Sequence, residues 1–327
     1  MKLSAPLRVT WDWNWPRVVQ PGATAGSPGR EKVELIAAEL ARAGVLMLEF
    51  GYPAAEDIRQ GLLATAIGRV GGIASLALTP ETIADLGEAE LRNTLGPGEI
   101  WADVTPLEGK EMEQDALPRR EDGSVWPDLR IYLTSANLEG AALLIAAALA
   151  EGVEKLSLPI LPLFGSFLTS AGKQIPPWRD LVKFADRLDP LLKSHPDLDL
   201  RVHYQSLWTI LRERGHRATD EEAPGHGGCQ AASALAYIDP GGVLYPCASL
   251  PIPVGPVEEG TIARAWREDE LKRLRDAIAV IPDPCGPCAE WKSCRGGCRG
   301  WAYYLTGRWQ EAGPDCGRKI SEEGSPR

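Results

Sequence analysis

Apolar and polar positions along the first two thirds of the chain switch repeatedly between a strand-like and a helix-like period. Leu7 to Thr10 predicts a short strand that runs into Trp11-Asp12-Trp13-Asn14-Trp15-Pro16. Ser27-Pro28 then opens a helix with Val33, Ile36, Ala37 and Leu40 on one face, and Gly44 ends it. Val45 to Phe50 predicts a second strand, closed by Gly51-Tyr52-Pro53. The alternation continues with a helix over 55–69, a strand over Ile73 to Leu78, a helix capped by Thr79-Pro80, and a strand over Ile100 to Val104. Residues 106–127 are charged and proline-dotted, which predicts a surface loop. Beyond them come a strand at Leu129 to Thr134, an alanine-rich helix capped by Asn137 and running to Gly152, and a strand at Leu156 to Leu161. A helix at Pro177 to Lys193, a strand at Leu200 to His203 and a helix at Gln205 to Arg214 complete the series.

Six or seven strands alternating with helices predict a parallel α/β architecture, open or barrel-like, and periodicity does not choose between the two. After residue 215 the pattern changes. Leu235 to Ile238, Asp239-Pro240-Gly241-Gly242 and Val243 to Tyr245 read as a hairpin that sets Cys247 at a strand end. Ser321 to Arg327 form a polar tail expected to be disordered.

Composition narrows the partners. The chain's 327 residues leave room for one large and one small domain. The longest apolar run, Ala141 to Ala150, is too short to cross a bilayer, and the N-terminus carries no signal-peptide pattern, so a cytoplasmic protein without membrane partners is expected. A net charge of −10 and a pI near 5.1 argue against a nucleic-acid partner. The run Arg295 to Trp301 is a local basic patch, read as charge compensation beside an anionic metal site. Trp11, Trp13, Trp15, Trp291 and Trp301 read as core or as cover for such a site. The chain shows no Gly-x-Ser-x-Gly elbow and no Walker A loop, and its four histidines are scattered.

The candidate chemistry lies in the cysteines. All seven follow position 228: Cys229, Cys247, Cys285, Cys288, Cys294, Cys298 and Cys316. The C-x2-C-x5-C-x3-C spacing places four soft ligands within fourteen residues, with Gly286, Gly296 and Gly297 between them to let the backbone turn. Seven thiolates exceed one four-ligand site and imply two centres. Cys285 and Cys288 form a pair that either Cys294 or Cys298 completes with Cys316, and the remaining cysteine joins Cys229 and Cys247. Spacing leaves zinc and iron–sulfur clusters both open, and a reducing compartment disfavours disulfides.

The pattern Cys229-x12-Gly242-x4-Cys247, then Cys285-x2-Cys288-x5-Cys294-x3-Cys298, then Cys316 resembles the SPASM domain, the auxiliary-cluster domain of many radical SAM peptide maturases. The connector from Val254 to Trp266 resembles that family's as well. The resemblance implies two [4Fe-4S] clusters, one on Cys285, Cys288, Cys294 and Cys316, the other on Cys229, Cys247 and Cys298. His226 is the nearest candidate for a fourth ligand of the latter, beside the readings of a solvated loop histidine and an open iron.

The preceding residues resemble the radical SAM core, a partial (β/α)6 TIM-like barrel, which implies a degenerate barrel over 1–215, a SPASM domain of hairpin and helices over 216–320, and the tail at 321–327. Two motifs depart from that family. The loop after the first strand lacks C-x3-C-x2-C, with Trp13 where the first thiolate belongs and Asn14 where an asparagine commonly follows it; Asp12 is no substitute for three thiolates. Tyr52 stands in Phe50-Gly51-Tyr52-Pro53 where the family carries the glutamate of Gly-Gly-Glu-Pro. No S-adenosylmethionine site and no catalytic residue are therefore expected. The pattern resembles the SPASM proteins of GeoRSP systems, which implies a non-cleaving partner, passing electrons or presenting substrate, for an active radical SAM/SPASM enzyme and a precursor peptide. Alternatives are an active radical SAM-type or Lewis-acid iron–sulfur enzyme acting on a peptide, and a zinc-binding structural scaffold.

Overall fold

The computed structural model describes residues 3–15, 28–106, 117–164, 172–216 and 228–317. His226, the tail over 321–327 and most of the 106–127 segment's first half lie outside these residues.

In chain order the elements begin β1 (Arg8–Asp12), α1 (Arg30–Ala43), β2 (Met47–Gly51), α2 (Ala55–Arg59), α3 (Leu62–Val70), β3 (Ile73–Leu78), α4 (Pro80–Leu95) and β4 (Glu99–Asp103). They continue with β5 (Asp128–Arg130), α5 (Leu138–Ala150), β6 (Lys155–Leu158), α6 (Trp178–Ser194), β7 (Asp199–Val202) and α7 (Gln205–Glu213). The last are β8 (Leu235–Ile238), β9 (Val243–Tyr245), β10 (Gly255–Pro256), α8 (Thr261–Arg267), α9 (Asp269–Ala279), α10 (Trp291–Cys294) and α11 (Arg299–Thr306). None of the described helices is long and apolar enough to cross a membrane.

The chain forms two compact units, one comprising Met1–Val104, Leu117–Trp126 and Gln230–Ala277, the other Thr105–Ala116, Pro127–Cys229 and Ile278–Arg327. In the first, β8, β1, β2, β3 and β4 run parallel, with β9 and β10 added antiparallel beyond β8. The predicted hairpin is thus an extension of the sheet that carries the first strands, because β8 pairs with β1 from Arg8↔Leu235 to Trp11↔Ile238. Register aligns Trp11 with Phe50, Phe50 with Leu76 and Leu76 with Ile100, a row of fully buried side chains. Against the sheet α1 buries Val33, Ile36, Ala37 and Leu40, the predicted face. Glu39 is buried with them, and its carboxylate accepts from the backbone N–H groups of Gly260 and Ile262 at 2.9 and 3.0 Å. The helix expected over 55–69 is two helices, because the chain turns at Gly61.

The second unit carries the parallel strands β5, β6 and β7. Helix α5 buries Ala141, Leu144, Ile145 and Ala148, and α6 buries Leu181, Phe184, Ala185 and Leu188 despite Pro190 in its last turns. Asn137 precedes α5 as expected, yet its side chain does not cap the helix. It ties the strand-to-helix turn instead, accepting from Thr134 N at 2.8 Å and donating to the carbonyls of Tyr132 and Pro106.

Candidate metal centre

Cys285 ends a short 3-10 turn at Asp283–Cys285, Cys288 follows three residues on, and Cys294 closes the single turn of α10. The chain then passes through three successive left-handed residues, Arg295, Gly296 and Gly297, with φ of 52°, 90° and 71°. Two of the three being glycine makes this reversal inexpensive. It delivers Cys298 to the N-terminus of α11, where its Sγ accepts from Trp301 N at 3.4 Å. Trp301 is fully buried, donates Nε1–H to Leu161 O at 3.1 Å and meets Tyr204 edge-on at 5.3 Å. Tyr204 in turn donates to Leu133 O at 2.6 Å, so the helix that starts at Cys298 is pinned to the strand layer of its own unit.

Cys285, Cys288, Cys294 and Cys316 line one pocket that opens to solvent. Trp178, Trp291, Ser206, Thr209, Glu290, Gly296 and Gly317 complete its walls, and Glu290 is ion-paired with Arg212 of α7. None of the seven cysteines is in a disulfide. Burial pushes the Cys294 thiol up to about 12, against partial relief from the Gly296 backbone and with Cys316 and Asp315 adding to the rise. A bound cation is what turns such a thiol into a thiolate at neutral pH.

The donor chemistry fits an iron–sulfur cluster. The four thiols share a cavity, and soft sulfur donors are the ligands that such clusters take. A four-iron cluster takes one thiolate at each iron. A lone zinc draws its ligands into one small tetrahedron.

Of the remaining predicted ligands, Cys229 and Cys298 belong to the same unit, and both act electrostatically on the guanidinium of Arg299, as does Cys285. Cys247 belongs to the other unit, just beyond β9, where its carbonyl accepts from Leu250 N at 3.3 Å. The basic patch divides. Arg295 is exposed and stacks over Trp291 at 5.3 Å, whereas Arg299 is buried. Sequence reasoning missed Asp315, buried directly before Cys316, and the tryptophan wall at Trp178.

The first unit shows what occupies the strand ends where the resemblance places a cofactor. Trp13 is fully buried and packs with Trp11 and Phe50 at ring distances of 5.4 and 6.1 Å. Asn14 Nδ2 donates to Tyr52 O at 2.8 Å. Tyr52 is buried and donates its hydroxyl to Asp103, and Asp12 accepts from Tyr237 Oη at 2.8 Å.

Residues 229–295 match the SPASM family, described as an iron-sulfur cluster-binding domain. An AdoMet-dependent heme synthase of Methanosarcina barkeri is 32% identical over 90 residues, 27% of this chain and 25% of that protein. The AdoMet-dependent heme synthase of Nitratidesulfovibrio vulgaris is 32% identical over 92 residues, 28% of this chain and 25% of that protein. The chain thus spans about a quarter of the length of the curated relatives it matches. Among solved structures, anSMEcpe with bound AdoMet and Cp18Cys peptide superposes with a TM-score of 0.64 at 13% identity, covering 96% of this chain and 95% of that one. Streptococcus suis SuiB bound to S-adenosylmethionine gives 0.59 at 15% identity, with 95% and 76% covered. The chain shares with these two structures a mixed α/β fold with parallel strands.

Proposed function

We propose that this chain holds two [4Fe-4S] clusters and serves as a partner, unable to cleave S-adenosylmethionine, of a radical SAM enzyme that modifies a peptide. The observation that carries the reading is the cavity lined by Cys285, Cys288, Cys294 and Cys316, in a chain whose first strand is followed by Trp13 and Asn14 rather than by cysteines. These four thiols would hold one cluster, and Cys229, Cys247 and Cys298 the other. When bound, such clusters supply one-electron transfer at potentials set by their surroundings.

The chain's own residues support a role without cofactor cleavage. Tyr52 stands where the resemblance places a glutamate, and its ring is buried with its hydroxyl on Asp103, so the position offers no carboxylate to an amino group. Trp13 fills the place of a thiolate with an indole. On the cluster side, Trp178, Trp291 and the Arg212–Glu290 pair form walls that limit solvent at the sulfurs, the burial that Fe–S potentials depend on.

Anaerobic purification followed by iron, sulfide and zinc analysis tests the reading. About eight irons per chain with sulfide support it; zinc without sulfide sinks it in favour of a structural scaffold. A second reading, an active enzyme, draws support from the two solved neighbours that carry S-adenosylmethionine. Incubation with S-adenosylmethionine and dithionite separates the two, since 5′-deoxyadenosine above the no-protein control overturns the partner role.

A further inference from the structure

Two hydroxyl residues of α7 line the four-cysteine cavity, and only one of them has its proton committed within the helix. Ser206 and Thr209 stand three residues apart on one face of α7, and both belong to the cavity wall. Thr209 donates to the Gln205 carbonyl at 2.9 Å. Ser206 has a relative exposure of 5%, and among the described residues its hydroxyl has no hydrogen-bond partner. Buried hydroxyls ordinarily find one, so the acceptor for Ser206 belongs to what fills the cavity. Ser206 is also the second residue of α7, whose N-cap residue Tyr204 supplies no side-chain cap and commits its own hydroxyl to Leu133 O at 2.6 Å. The partial positive charge of that helix end favours an anion in the same place. Of the carboxylates nearby, Glu290 is ion-paired with Arg212 of the same helix, and Asp315 is buried directly before Cys316.

We infer that the Ser206 hydroxyl donates a hydrogen bond to a sulfur of the cluster held by Cys285, Cys288, Cys294 and Cys316, and so raises that cluster's potential. The inference rests on the reading that this cavity holds a cluster, and it needs no second one. To a donor in the wall a thiolate-ligated cluster offers sulfur, either bridging sulfide or cysteinyl. Reduction places more negative charge on those sulfurs, so the donor stabilises the reduced state over the oxidised one. Trp178 and Trp291 give the wall apolar surface, and in such surroundings one hydrogen bond carries more weight than it does in water. The neighbours Leu207 and Trp208 are buried, so α7 holds the hydroxyl where it is. Ser206 binds no iron in this arrangement; it tunes the iron that the four thiolates bind.

The test is an EPR-monitored potentiometric titration of the full chain and of Ser206→Ala, Ser206→Thr and Thr209→Val, each assayed first for iron and sulfide. In Ser206→Ala one potential is expected to fall by the equivalent of a tenfold change in the oxidised-to-reduced ratio, about 59 mV for a one-electron couple. Ser206→Thr, which keeps a hydroxyl, should recover most of that loss. Thr209→Val removes a proton already committed to the helix and should stay near the parent potential. A Ser206→Ala variant with full iron and the parent potential overturns the inference. An equal fall in Thr209→Val also overturns it, because the general polarity of the wall would then set the potential. If Ser206→Ala loses iron, pulsed EPR of the reduced, unsubstituted protein decides: a proton coupling lost on exchange into D2O supports donation to cluster sulfur, and the absence of any exchangeable coupling refutes it. Unsubstituted protein that carries zinc and no sulfide defeats the functional reading itself, and this inference with it, before any variant is compared.

Discussion

Tyr52 donates its phenolic proton to Asp103 Oδ2 across 2.6 Å, and it does so from a backbone φ of 57°. A bulky residue in the left-handed region carries strain of about 1–3 kcal/mol that its surroundings must offset. Here the offset is a buried ring and a charge-assisted hydrogen bond between the ends of β2 and β4. Tyr52→Phe keeps the ring and the strain and removes the bond. A loss of about 1–3 kcal/mol in urea unfolding is expected, and an unchanged midpoint would show that the bond is not holding the residue in place.

Glu39 offers a second test within the same unit. Its buried carboxylate receives the N–H groups of Gly260 and Ile262, at the start of α8, which has no cap of its own. Glu39→Ala leaves one buried and one half-buried donor without that acceptor and should cost about 2–4 kcal/mol. Glu39→Gln, which retains an oxygen, should cost less. Equal losses in both variants would mean that packing of α1, rather than the carboxylate, is what matters.

The legible part of this molecule is the part governed by local chemistry. Apolar periodicity located β3 and the buried face of α1, and Thr79 caps α4 by accepting from Thr82 N as the Thr-Pro pair implied. Cysteine spacing paired Cys285 with Cys288 and left Cys294 and Cys298 as alternatives beside Cys316; the resemblance pointed to Cys294, and the cavity is lined by Cys285, Cys288, Cys294 and Cys316. What escaped were relations between distant residues. Nothing near Leu235 announces that β8 will pair with β1, because the pairing depends on the sheet edge left open by a strand more than two hundred residues earlier. Arg295 and Arg299 look alike in sequence, and only the left-handed turn between them sends one to solvent and the other into the interior. The failure at Asn137 is of the same kind, for a residue able to cap a helix found better partners in Thr134 and Tyr132.

The thiol of Cys294 makes the metal-free chain sensitive to alkaline pH. Burial is the largest cause of its rise to about 12, so the folded chain holds a proton that the unfolded chain releases near the ordinary thiol value. The sign follows: the contribution is fully present below about pH 8.5 and is lost as pH climbs from there toward 12. Denaturant titrations of metal-free protein should show stability falling through that window, and the fall should be shallower in Cys294→Ala. With iron bound the thiolate is already formed, so the share of the slope due to Cys294 should vanish in the loaded protein. An equal slope in all three would refute the assignment.

Two glycines beside cluster cysteines make opposite predictions. Gly317 follows Cys316, and a β-carbon there would overlap the indole of Trp178, so the ring and the Cys316 backbone cannot both keep their places in the cavity wall. Gly286 follows Cys285 with a right-handed helical backbone, and a β-carbon there meets nothing within 4 Å. Overpacking of this kind costs about 1–3 kcal/mol, and displacing Trp178 opens the sulfurs to solvent. Gly317→Ala should therefore lose about four irons per chain, one cluster's worth, or release them to a chelator at least tenfold faster. Gly286→Ala should keep its full iron complement and the parent release rate. If both variants retained iron equally, Trp178 would be a movable cover rather than a fixed wall, and the fit between the cavity and its cluster would not depend on the glycine at 317.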